Sequence, residues 1–156
     1  MPVPVAVQTF LANSGQPYDV FNHARAYTAQ EEAAVTHVPG RQWAKTVVCV
    51  LDGEPVLSVV PADHVVDIER LRQVSGARVA RIATEGEFAR LYPECEVGAM
   101  PPFGPLFHQR VFVDRALSRV PELVFNAGTH VDSVKTTFTA FREMSKPIIA
   151  DFTVHV

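Results

Sequence analysis

The stretch "RQWAKTVVCVLDG", Arg41 to Gly53, reads as a β-strand running into a tight turn. Apolar residues fill Val47 to Leu51, and Asp52-Gly53 is the turn pair that hairpins favour. Beyond "DGEP", the run Val56 to Val60 reads as the return strand, so Lys45–Leu51 and Val56–Val60 form a predicted hairpin. Lys45 stands at the mouth of this apolar strand. It is either an ordinary solvated lysine at a sheet end or a cation lining a pocket.

Outward from the hairpin, the chain alternates irregularly between short strands and short helices. Val5–Ala12 has helical spacing, with Ser14-Gly15 as its end, and Tyr18–Phe21 reads as a short strand. Thr28–Glu31 has capping-box form and opens a helix to about Thr36. After the hairpin come a helix over Asp67–Ser75 ended by Gly76 and a strand in "ARVARIA". A second capping box at Thr84–Glu87 opens a helix that stops before Pro93. "CEVGAMPPFGPL", residues 95–106, is expected to be irregular because of its prolines and glycines. "RVFVD", "ELVFN" and Ser133–Phe138 read as strands, Thr139–Lys146 as a helix, and Ile148–Val154 as a closing strand. About six or seven strands and four or five helices, without a regular βαβ repeat, predict a single α+β domain over residues 1–156 with a mixed or antiparallel sheet.

Composition narrows the class. The 156 residues are 47% hydrophobic and 20% charged, the balance of a globular domain with a real core. No apolar run approaches the roughly 20 residues of a membrane span. The first residues lack a secretory pattern, which directs the expectation to the cytoplasm. A net charge of −3 argues against wrapping duplex nucleic acid, so any nucleic-acid contact should be small or made at an end. The two cysteines, Cys49 and Cys95, form no redox or metal pair, and Glu94 and Glu96 beside Cys95 should raise its thiol pKa. Six histidines at 23, 37, 64, 108, 130 and 155 lack metal-motif spacing, so no metal site and no cofactor is expected. Hydrolase elbows, phosphate loops and dinucleotide fingerprints are missing as well.

Two further stretches break the strand pattern. In "GAMPPFG", Gly98 to Gly104, prolines stiffen a loop while glycine lets backbone approach a ligand, so amides of Gly98, Ala99 and Met100 could converge on an oxyanion. The alternative is a plain rigid connection. In "NAGTH", Asn126 to His130, a glycine turn could place an imidazole at the sheet end, or leave it solvated.

In order, "HVPGRQWAKTVV", "VGAMPPFG" and "FNAGTHVDSVKTTF" resemble the YbaK family, which includes free-standing aminoacyl-tRNA deacylases, and the editing domain inserted in bacterial prolyl-tRNA synthetases. The resemblance runs from about Glu31 to the C-terminus. Lys45 matches the family's strand lysine, Gly98–Pro102 its GxxxP loop, and His130 a histidine that follows the last glycine turn in some members. It implies a mixed, partly barrel-like sheet with peripheral helices. The implied reaction is hydrolysis of a mischarged aminoacyl ester, assisted by the substrate and without a metal. In the roles it implies, Lys45 orients the terminal adenosine, and the Gly98 and Ala99 amides hold the carbonyl oxygen. His130 stands near the aminoacyl group, with Met100, Pro102, Phe103, Gly128 and Thr129 as substrate-binding surroundings. Phe21, Thr28 and Val35 are further candidates for the pocket wall. The implied partners are the aminoacyl-tRNA acceptor end and an aminoacyl-tRNA synthetase, with no membrane. A non-catalytic module binding a nucleotide or amino acid stays open beside the enzyme.

Overall fold

The computed structural model describes residues 2–156. In chain order the elements begin with α1 (Val5–Asn13), β1 (Asp19–Asn22) and α2 (Ala29–Thr36), followed by β2 (Ala44–Leu51), β3 (Glu54–Pro61) and β4 (His64–Val66). Then come α3 (Ile68–Ser75), β5 (Ala80–Ile82), α4 (Glu85–Leu91), α5 (Gly104–Phe107) and β6 (Val111–Asp114). The chain closes with β7 (Glu122–Asn126), β8 (Asp132–Thr137), α6 (Phe138–Ser145), β9 (Ile148–Ala150) and β10 (Thr153–His155).

The predicted hairpin is the centre of the molecule. Asp52 and Gly53 both take positive φ, 50° and 84°, the geometry of a two-residue turn whose twist matches its strands. The Asp52 carboxylate accepts from the amides of Arg78 and Val79, which pins the turn to the chain entering β5. β2 and β3 sit inside a five-stranded sheet ordered β5-β2-β3-β6-β9, antiparallel in its first half and parallel through β6 and β9. A three-stranded antiparallel sheet, β1-β8-β7, faces it, and β10 pairs with β4. The two larger sheets touch where Trp43 bridges Val124, so they curve toward each other without closing a barrel.

Both faces of the five-stranded sheet are covered, which explains the continuous apolar runs in β2 and β3. Ala44, Val48, Leu57 and Val59 pack on one face against Met100, Phe103, Phe125 and Phe141. Cys49, Leu51, Val56 and Val60 pack on the other against Leu71 of α3, Phe112 and Phe152. The α+β class with a mixed sheet is as expected.

The boundaries differ in identifiable places. Gly104–Phe107 is a helical turn inside the stretch expected to be irregular, because Pro105 falls in its first turn, where no amide is needed. The closing strand is two strands: Phe152 is fully buried, its amide reaches Asp114 Oδ1 at 3.3 Å, and the chain then leaves β6 to pair with β4. That pairing also creates β4, which has no local strand signal. α6 starts at Phe138, within the run read as strand, because Thr137 caps it by accepting from the Ala140 amide at 3.1 Å. Thr84 forms a full capping box with Glu87, whereas Thr28 caps α2 from the Glu31 amide.

Candidate active site

β2 is the rail on which the site is built. The amide of Ala62 donates to the carbonyl of Trp43 at 2.8 Å, and these residues are opposite each other in the β2–β3 register. Hydrogen-bonded pairs alternate along an antiparallel ladder, so odd-numbered residues of β2 bond to β3 and even-numbered ones point their amides and carbonyls the other way. On that second edge, Trp43 bridges β7, Val48 accepts from Ala83 at 2.9 Å, and Cys49–Leu51 pair with β5. Between these anchors the amide and carbonyl of Thr46 face an edge that no strand covers, and they have no partner among the described residues. Lys45, Thr46 and Val47 are correspondingly half-buried in a strand whose remaining residues are buried.

Lys45 forms no hydrogen bond or ion pair among the described residues. Burial lowers its pKa from the ordinary lysine value, and the Asp63 carboxylate works against that shift. Ala44 and Val48 enter the core that holds Met100 and Phe103, so strand alternation sends the Lys45 side chain out of the opposite face. The structure therefore sets Lys45 beside the open edge and does not bring it into contact with the 98–103 loop.

The loop and the turn do come together. Gly128 donates its amide to the Ala99 carbonyl at 2.8 Å, and its own carbonyl accepts from the Glu96 amide at 2.9 Å. His130 locks the pair. Its Nε2 donates to the Val97 carbonyl at 2.7 Å, its Nδ1 faces Glu32 Oε1 at 3.2 Å, and its backbone amide donates to Glu96 Oε1 at 3.1 Å. A carbonyl and a carboxylate facing the two ring nitrogens favour the doubly protonated ring. The Glu32 contact accordingly raises the His130 pKa above its ordinary value, against burial and with help from the Val97 carbonyl. Glu96 is also gripped by Arg25 Nη1, at 3.0 Å to each oxygen. Burial alone would raise the Glu96 pKa, but the His130 amide and Arg25 outweigh it and hold the carboxyl low.

Several expected roles change in this geometry. The Ala99 amide is committed to the Glu96 carbonyl at 3.0 Å and the residue is fully buried, so Ala99 holds the loop in shape. Gly98 and Met100 are the loop residues of the GAM triplet whose amides stay unpartnered among the described residues. His130 is buried with both ring nitrogens engaged, which leaves it no free nitrogen for a ligand. Thr129 is fully buried; its hydroxyl donates to Asp132 Oδ2 at 2.7 Å and accepts from the Val131 and Asp132 amides, the work of a turn-builder. Met100, Pro102 and Phe103 are buried as well, Phe103 stacked on Phe10 at 4.6 Å between ring centroids. Gly128 has φ 102°, and a Cβ there would stand 2.6 Å from Pro4 Cδ. Of the further wall candidates, Thr28 and Val35 are exposed on and beside α2, and Phe21 packs near Trp43. A surface hollow of about 630 Å³ along α1 and β1 shares no lining residue with any of these.

Glu32, Glu96, Arg25 and Thr46 stand at this candidate site, although no sequence motif gives any of them a role there. Glu32 follows the capping Glu31 and looks like a second solvated first-turn acid, yet it is 1% exposed. Its partners also include Asn126, whose Nδ2 lies 3.3 Å from Oε1. Nothing local to α2 announces that partnership.

Comparison with known proteins places the chain in a family. Residues 23–144 match the aminoacyl-tRNA editing domain. The proline–tRNA ligase of Nitratidesulfovibrio vulgaris strain Hildenborough is 31% identical over 115 residues, covering 72% of this chain and 20% of the ligase. That of Bacillus cytotoxicus is 31% identical over 91 residues, covering 58% and 16%. The chain thus spans a fifth or less of the length of these curated relatives. Among solved structures, a candidate trans-editing enzyme for prolyl-tRNA synthetase superposes with a TM-score of 0.86 at 23% identity, covering 99% of this chain and 98% of that one. With the family match extending over most of its length, the chain belongs to the aminoacyl-tRNA editing domain family.

Proposed function

We propose that the protein is a trans-editing deacylase that hydrolyses the ester of a mischarged aminoacyl-tRNA, gripping only the acceptor end. The observation that carries this reading is the uncovered edge at Thr46 beside a half-buried Lys45, in a strand otherwise buried. A partly desolvated ammonium interacts more strongly with a phosphate or ribose oxygen than a fully hydrated one. Lys45 orients the terminal adenosine from one side of the edge. The Gly98 and Met100 amides, held by Ala99 and by the His130 lock, receive the developing oxyanion from the other. Water attacks the ester carbonyl, the bond to the ribose oxygen breaks, and that oxygen takes the proton. A neighbouring ribose hydroxyl positions the water.

Three side chains near the loop support a substrate-assisted route because each is withheld from acting as nucleophile or base. Cys95 is pushed up to about 11 by burial and by Glu94, the Thr129 hydroxyl is committed, and His130 has no free nitrogen. The likeness to proline–tRNA ligases and to a candidate trans-editing enzyme for prolyl-tRNA synthetase supports that synthetase as the partner whose errors are corrected. Such a second site is needed because one pocket discriminates poorly between amino acids of similar shape.

The same engagement of His130 favours a second reading, a non-catalytic module that binds an amino acid or nucleotide. Incubation of the purified protein with a panel of mischarged tRNAs separates the two. Loss of ester from one mischarged class is the expected result. Saturable binding without turnover on any member would replace the enzyme by the module.

A further inference from the structure

Away from the 98–103 loop, β10 returns to β4 with His155 directly opposite His64 in the antiparallel register. Asp63 precedes β4 and accepts the Val156 amide on its backbone carbonyl at 2.9 Å, so both strand ends are tied to it. The side chains converge. His155 Nε2 lies 3.2 Å from Asp63 Oδ2, His64 Nε2 lies 3.7 Å from Asp63 Oδ1, and the two rings meet edge-to-face at 5.1 Å. One ligand atom from each of the three residues lies within 4.8 Å of the others.

Two details distinguish this group from a chance surface cluster. Asp63 Oδ1 is buried and makes no hydrogen bond among the described residues, although it faces the His64 ring. A buried acceptor without a partner calls for a positive or donating neighbour. His64 Nδ1, in turn, is hydrogen-bonded to Thr153 Oγ1 at 2.8 Å, which orients the ring with Nε2 toward Asp63. An outer contact that fixes the imidazole is the usual companion of a metal-ligating histidine.

We propose that Asp63, His64 and His155 form a binding site for one divalent cation of the zinc class, with solvent completing the coordination. Two imidazoles and one carboxylate suit Zn²⁺, Co²⁺ or Ni²⁺ rather than Mg²⁺, which prefers an all-oxygen octahedron. The three ligand atoms already lie within 4.8 Å of one another, and the His155 side chain is 66% exposed, with room to turn toward a shared ion. Bound metal staples β10 to β4. The histidines are far apart in the sequence, so motif spacing could not show the site. The readout is metal binding itself, which can be measured whether or not the protein hydrolyses an ester.

The test is calorimetric titration of the metal-free protein with Zn²⁺ near neutral pH, repeated with Mg²⁺ and with the variants His155→Ala and Asp63→Asn. His155 sits in a three-residue terminal strand, so its loss leaves the fold intact, and Asp63→Asn keeps the side-chain shape. The expected result is one Zn²⁺ per chain, no comparable Mg²⁺ binding, and affinity reduced at least about tenfold in each variant. The Co²⁺ form should show the absorption of a low-coordinate nitrogen–oxygen site that His155→Ala abolishes. Absence of saturable Zn²⁺ binding, or equal affinity in the wild type and both variants, overturns the proposal.

Discussion

The two halves of β2 share one strand and have opposite fates. Cys49–Leu51 lie between β3 and β5 and are fully enclosed. Lys45–Val47 pair with β3 alone, and their second edge is left uncovered once the chain has passed the Trp43–Val124 bridge. Three or four residues of missing partner strand leave an open, half-buried edge in an otherwise buried element. The enclosed half fixes the position of the open half, and in the proposed function this is what aims the Lys45 ammonium without a dedicated loop.

Substitutions in the two halves should therefore separate activity from stability. The largest effect is expected from Lys45→Ala, which should lower single-turnover deacylation by about 100-fold or more while leaving the melting temperature nearly unchanged. Leu51→Ala removes a side chain that is 1% exposed and should cost about 2–5 kcal/mol of stability by denaturant titration, with the rate per folded molecule preserved. Gly98→Ala has room, since its Cβ would meet His130 Cε1 at an ordinary 3.7 Å, but φ of 84° strains it. It should destabilise by about 1 kcal/mol and slow turnover by tilting the loop amides.

The His130 lock gives a smaller, pH-dependent effect. Its folded-state pKa is raised, so its stabilisation is fully present below the ordinary histidine value of about 6.5 and is lost as pH rises through the folded value. Melting curves across that window should fall with pH in the wild type and flatten in Glu32→Gln. A difference between the two proteins that is constant with pH would show the contact to be structural only. The smallest effect is a null one: chelator treatment should leave ester hydrolysis unchanged, and a chelator-sensitive rate would end the metal-independent account.

Legibility in the sequence followed the range of the interactions. The hairpin could be read because Asp52-Gly53 and the apolar run are local, and both positive φ angles lie where the turn pair predicts. The order of Lys45, the Gly98–Pro102 loop and the Gly128–His130 turn was visible, but the hydrogen bonds that pair loop with turn were not. The fate of individual amides was not. Ala99 loses its amide to Glu96 through a turn that no pattern reveals, Phe103 packs between Phe10 and Phe125, and Met100 is buried in the same core. Glu32 and His130 meet only after α2 folds against the β7–β8 turn. β4 and β10 are three residues each and exist because they pair, so their sequence carries little periodicity.

The most direct measurement is single-turnover hydrolysis of the best mischarged tRNA by the wild type, Lys45→Ala and Leu51→Ala, each held well below its own melting temperature. The account predicts a folded, inactive Lys45→Ala and a weakened but fully active Leu51→Ala. Full activity in folded Lys45→Ala would contradict it.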